Sequence, residues 1–115
     1  MIPIVIRGNF VPRLFSVFIT AAAVTLWPFI FIKKGLQDEK RILNHEKIHI
    51  AQYQELLVIF FLILYVWDFL HGCIKYRDTR TAYYQIRFEQ EAREWDDDSR
   101  YLERRGRFAW LDYSV

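Results

Sequence analysis

His45, Glu46 and His49 stand in the order H-E-x-x-H, and no other short stretch of the chain carries as much chemistry. On a helix, residues four apart lie on one face, one above the other. Two imidazoles so placed can share one Zn²⁺, while the carboxylate between them faces the water that such an ion holds. The pattern therefore names two metal ligands, His45 and His49, and a general base, Glu46. A site of this kind needs a third protein ligand and an open fourth position. Cys73 is the single cysteine, which excludes both a cysteine-based zinc site and an internal disulfide.

The third ligand must then be a histidine or a carboxylate. His71 follows His49 by 22 positions, about 33 Å along a straight helix, and Asp68 is too distant for the same reason. A later helix offers Glu89, Glu91 and Glu94. With any of these in place, the expected chemistry is peptide-bond hydrolysis. A zinc-activated water would attack the carbonyl, and Glu46 would take the proton and return it to the leaving amine. The developing oxyanion needs a donor, for which Tyr83 and Tyr84 are candidates. This reading is a zinc-dependent metallopeptidase, a hydrolase acting on a peptide or protein substrate. The alternative is a non-catalytic metal-binding protein, or a membrane-associated structural or interaction protein.

These residues must be held by a chain of 115 residues, enough for a single domain with one modest core. Hydrophobic residues make up 53% of it, too many for a disordered chain, and the net charge of +2 gives no basic stripe for nucleic acid. Met1 to Pro12 reads as an extended or turn segment. From Leu14 to Ile32 no residue is charged. That stretch fits a membrane span, a secretory signal or buried strands, and its β-branched and aromatic second half favours strands. Pro28 cannot donate to a sheet ladder, so Val24, Thr25, Leu26 and Trp27 read as an edge strand to which a substrate peptide could add.

The zinc helix is expected over 38–72, with the apolar run Leu56–Trp67 in its second half. That run is too short to span a bilayer alone. A further helix is expected over 84–105, with Asp96, Asp97 and Asp98 as its solvated face and Gly106 as its terminator. The fold class is mainly α with a small β element (α+β), in which residues 1–34 form the extended part. If the zinc helix simply folded back on itself, Glu89 would face residue 60 and miss the histidines by roughly 20 Å. The chain must bend sharply near Gly72, or return in extended form between Tyr76 and Ile86.

H-E-x-x-H followed by E-x-x-A on another helix resembles the gluzincin metallopeptidases, above all the group of CAAX-prenyl proteases and HtpX-type membrane proteases. The resemblance implies a zincin-like fold with the HExxH helix packed on a second long helix. It also implies Glu89 as the third zinc ligand, with Ala92 as the small residue that lets the helices approach. The Asp that ends that pattern is replaced by Arg93. Over Leu14 to Leu111 the chain is also similar to a group of short, uncharacterised bacterial metallopeptidase-like proteins. The shared segments are Thr25–Ile32, Asn44–Gln52 and Phe88–Ala92. The expected location is the cytoplasm or the periphery of the inner membrane, and a membrane surface stands among the expected partners.

Overall fold

The computed structural model describes residues 3–15 and 22–115. It is mainly helical, with one three-stranded sheet, an α+β arrangement. Strand β1 (Ile4–Arg7) is followed by a short helix α1 (Phe10–Phe15), then by β2 (Ala23–Leu26) and β3 (Phe29–Ile32). The strand order is β1-β3-β2, with β1 parallel and β2 antiparallel to β3. The uncharged stretch thus supplies a β-hairpin over 23–32, while residues 16–21 lie outside the described residues. Trp27 and Pro28 form the hairpin turn, so Pro28 owes the ladder no N–H, and the edge strand ends one residue earlier than expected. The extended reading of residues 1–34 misses α1, whose Pro12 falls in its first turn, where a helix tolerates proline.

Helix α2 runs from Glu39 to Tyr76 and is broken once, at Leu57, whose φ of 57° and ψ of 154° leave the helical region. The break divides it into a first limb, 39–56, and a second limb, 58–76. Positive φ with extended ψ is a conformation that only glycine adopts readily, costing other residues about 1–3 kcal/mol. Packing offsets that cost. The rings of Tyr53 and Phe61 stack with centroids 3.8 Å apart, whereas eight residues of unbroken helix would separate them by about 12 Å. Both rings belong to the main core cluster with Ile86, Phe88 and Trp110.

The bend therefore lies at Leu57 and not at Gly72. Gly72 serves a close approach instead. A Cβ there would meet the Ala82 Cα at 2.9 Å, so glycine lets α3 (Thr79–Gln85) lie directly on the second limb. Asp78 caps α3 by accepting from the Thr81 N–H and hydroxyl. Arg77, in the left-handed conformation, closes α2.

The helix expected over 84–105 is three pieces. Ile86 is extended (ψ 129°) and separates α3 from α4 (Arg87–Trp95), and a turn separates α4 from α5 (Tyr101–Arg104). The physical reason for the second break lies on α2. The Asn44 amide donates to the carbonyls of Trp95, Asp96 and Asp98, taking groups that a continuing helix would have used itself. A 3₁₀ turn, Ala109–Asp112, brings Trp110 back onto Phe88.

Two buried ion pairs fix α4 against the limbs. Asp68 on the second limb takes the Arg87 side chain through both oxygens and also accepts from the Arg87 backbone N–H. Glu91 takes Arg105, and also accepts from Gln52 on the first limb and from Tyr101. Ala92 is fully buried beside Ile48, where a larger side chain would push α4 off the first limb.

Candidate metal centre

His45 and His49 rise one above the other on the first limb, with ring centroids 5.0 Å apart, and α4 brings Glu89 against both. The Glu89 Oε1 lies 3.1 Å from His45 Nε2 and 3.2 Å from His49 Nε2. Donor atoms around a four-coordinate zinc, each at about 2.0–2.1 Å, are separated by about 3.3 Å. The cluster could hold a metal ion.

The outer nitrogens of both imidazoles are held. His45 Nδ1 is 3.0 Å from Asp96 Oδ2, and His49 Nδ1 is 2.7 Å from Gln52 Oε1. The Gln52 amide has its orientation set by its nitrogen, which donates to the Phe88 carbonyl and to Glu91. Each Nδ1 therefore carries its hydrogen, and each neutral ring presents the lone pair of Nε2 to Glu89. Two lone pairs and a carboxylate oxygen crowded together repel one another. Protons on the imidazoles or a shared cation must compensate them.

The ionisation of the cluster follows the same logic. Burial pushes the His45 imidazole down, but Asp96 and Glu89 on its two nitrogens outweigh it and lift the group to about 10. For His49 burial again pulls down, and the adjacent Glu89 carboxylate turns the balance upward. Burial would raise Glu89, yet the two imidazoles hold it well below the usual carboxylate range.

Glu46 sits beside the three donors without joining them. Its Oε2 is 3.7 Å from His45 Nε2, and its Oε1 accepts from the Thr25 hydroxyl on β2 at 3.0 Å. Burial raises this carboxyl, against the pull of both histidines. A cavity of about 420 Å³ opens onto Glu46, His49 and Glu89, between β2 and the second limb. In the antiparallel ladder, Ala22 pairs with Lys33 through a hydrogen bond, so bonded pairs alternate and Ala23 and Thr25 turn their backbone groups to the free edge. The Thr25 carbonyl there accepts from the Tyr53 hydroxyl at 3.0 Å.

Of the residues singled out by sequence, the fold brings together His45, Glu46, His49 and Glu89, with Val24, Thr25 and Leu26 along the cavity. Tyr83 lines the same cavity, where burial and then the charges of Glu89 and Glu46 push its phenol up. Tyr84 lies elsewhere. Its ring faces the Arg93 guanidinium, and its carbonyl accepts from the same group, so it takes no part in the cavity. Glu91 is spent on Arg105, Glu94 is exposed, and His71 is exposed on the second limb. Glu89 is thus the carboxylate that meets the histidines.

Three contributors escaped the sequence reading. Asp96 is not part of a solvated face: it is 6% exposed and holds both His45 and Arg41. It supplies a carboxylate to the cluster although Arg93 stands where the resembled pattern has Asp. Gln52, one turn after His49, carried a detectable signal in its spacing. Tyr65, whose hydroxyl donates to Glu89 Oε2 at 2.6 Å, carried none. Comparison with known proteins finds no matching family model, no matching curated protein and no matching solved structure.

Proposed function

We propose that the chain is a zinc-dependent metallopeptidase, with His45, His49 and Glu89 as the zinc ligands and Glu46 as the general base. The observation that carries this reading is the convergence of two pre-oriented Nε2 atoms and one carboxylate oxygen, with a second, separately held carboxylate beside them. Two imidazoles and one carboxylate are a donor set that suits Zn²⁺ with a fourth position left open. Zinc at such a site supplies Lewis acidity towards a carbonyl and lowers the pKa of water.

The chain's own residues divide the remaining work. Asp96 and Gln52 fix the tautomers and ring planes of the two histidines, and Tyr65 occupies the second oxygen of Glu89 so that only Oε1 faces the cluster. The Thr25 hydroxyl holds Glu46 at the cavity wall, placed to accept a proton from water and pass it to a leaving amine. The edge of β2 offers the Ala23 backbone groups to an extended peptide lying along the cavity, while the Thr25 carbonyl is held by Tyr53. Tyr83 is a candidate donor for an oxyanion, because it shares the cavity wall with Glu46 and Glu89.

The test pairs metal content with turnover. Wild-type protein should carry zinc and cleave a broad peptide library, and Glu46→Gln should keep the zinc and lose cleavage. Cleavage undiminished in Glu46→Gln would overturn its role as base. Zinc bound without any cleavage by the wild type would make the chain a metal-binding protein with no hydrolytic activity.

A further inference from the structure

We propose that the outer face of the second limb of α2 docks in the plane of a lipid bilayer. At 100° per residue, Ile59, Phe60, Leu62, Ile63, Val66, Trp67, Leu70 and Ile74 fall within an arc of about 160°. All are exposed, Ile63 by 57%, Trp67 by 66% and Ile74 by 79%. No charged side chain lies in that arc. The one acidic residue of the limb before Lys75, Asp68, is on the opposite side in its ion pair with Arg87.

Length and composition would let α2 cross a membrane, and little of its apolar stretch is buried. The packing argues for lying on the surface instead. The inner arc is covered by α3 and α4, which are polar helices, and a helix with one face on protein and the other bare is the form that settles at an interface.

Two features favour lipid over a protein partner. A protein interface of this extent would carry a polar rim and regularly spaced hydrogen bonds. This face offers only the Trp67 indole and, at its margin, His71. Exposed bases also follow the apolar face directly: Arg77 and Arg80 stand at the end of the limb and the start of α3, while Lys75 is taken up by the Val115 carbonyl. Bases beside an apolar face match anionic headgroups, and tryptophan settles at the same depth. Leu62 and Val66 belong both to this face and to the cavity wall, as does the half-exposed Leu26 of β2. Docking would thus set the mouth of the cavity at the lipid boundary.

The proposal does not rest on the metal site, and its test needs no turnover. Purified protein is mixed with vesicles of phosphatidylcholine containing a minority of phosphatidylglycerol, and its flotation is measured. The wild type should float with the vesicles. Ile63→Glu/Trp67→Glu should partition at least about tenfold less, since two charges replace inserted apolar groups. Its circular dichroism should match the wild type, because both positions are exposed. Arg77→Glu/Arg80→Glu should weaken binding by about fivefold or more per base on these vesicles, and far less on phosphatidylcholine alone. A wild-type protein that stays with the soluble fraction overturns the proposal. So does a wild-type dimer in sedimentation that Ile63→Glu/Trp67→Glu converts to monomer, which would assign the face to a second copy of the chain.

Discussion

The two limbs of α2 follow one another with only Leu57 between them, yet they present different surfaces to the rest of the fold. The first limb turns His45, Glu46, His49 and Gln52 inward and leaves Lys47 outside. The second turns Phe61, Asp68 and Gly72 inward and leaves its aliphatic residues bare. A straight helix would keep one inward face along its whole length. The break at Leu57 resets the direction, so that one segment supplies the polar cluster and the next supplies a wall of the cavity and an apolar outer surface. Polar burial on the first limb is tolerable because every inward group has a partner. On the second limb, Asp68 is tolerable because Arg87 meets it with two hydrogen bonds.

The strongest way to break this contrast is to remove Asp68. Asp68→Ala strands Arg87 against the core and should cost about 3–5 kcal/mol of stability. Ile63→Ser, on the outer face of the same limb, should stay within about 0.5 kcal/mol. Urea unfolding of the two variants measures the difference, and equal losses would mean that the second limb has no distinct inner and outer face.

Asp96→Asn probes the first limb. It keeps the shape of the side chain but weakens the partner of His45 Nδ1, and metal affinity should fall by about 10–100-fold. Titration with a competing chelator reads the affinity. Unaltered affinity would show that Asp96 serves Arg41 alone.

Acid should act on the joint between the first limb and α4. Burial pushes Glu91 up, but Arg105, Gln52 and Tyr101 hold it below its ordinary value of 4.5. A carboxylate depressed by folding contributes stability above its unfolded pKa and loses that contribution as the pH falls through the folded one. Stability should therefore decline on acidification below about pH 4.5, and Glu91→Gln should flatten that decline. A wild-type acid limb unchanged in Glu91→Gln would assign the loss to other carboxylates.

The smallest effect concerns the break itself. In an unbroken exposed helix, glycine costs about 1 kcal/mol. At Leu57 it should instead raise stability by up to about 1 kcal/mol, because glycine adopts this backbone without strain and Leu57 is 66% exposed. A lowered Tm for Leu57→Gly would indicate a continuous helix.

Helical spacing made the histidines and Glu46 legible in the sequence, and the E-x-x-A segment pointed to Glu89. The β-branched and aromatic residues of the uncharged stretch pointed to strand over its second half, but the turn at Trp27 and Pro28 that splits it into two strands was not read from the sequence. What stayed hidden depends on contacts between distant residues. Asp96 belongs to a run of three aspartates, and only the placement of α4 against Arg41 and His45 distinguishes it from its solvated neighbour Asp97. The sequence suggested either a bend near Gly72, where glycine marks bends locally, or an extended return between Tyr76 and Ile86, where the chain instead forms α3. Leu57 carries no such mark, and the stacking of Tyr53 on Phe61 selects it.

In the proposed reading His45, His49 and Glu89 form one metal site. X-ray absorption on protein loaded with a single equivalent of zinc tests it most directly, read together with the same measurement on His49→Ala. A four-coordinate ion is expected, with two nitrogen donors from imidazole and oxygen donors for the rest, all at about 2.0–2.1 Å, and the site is lost in His49→Ala. An ion bound with one imidazole or none, or held equally well by His49→Ala, would contradict it.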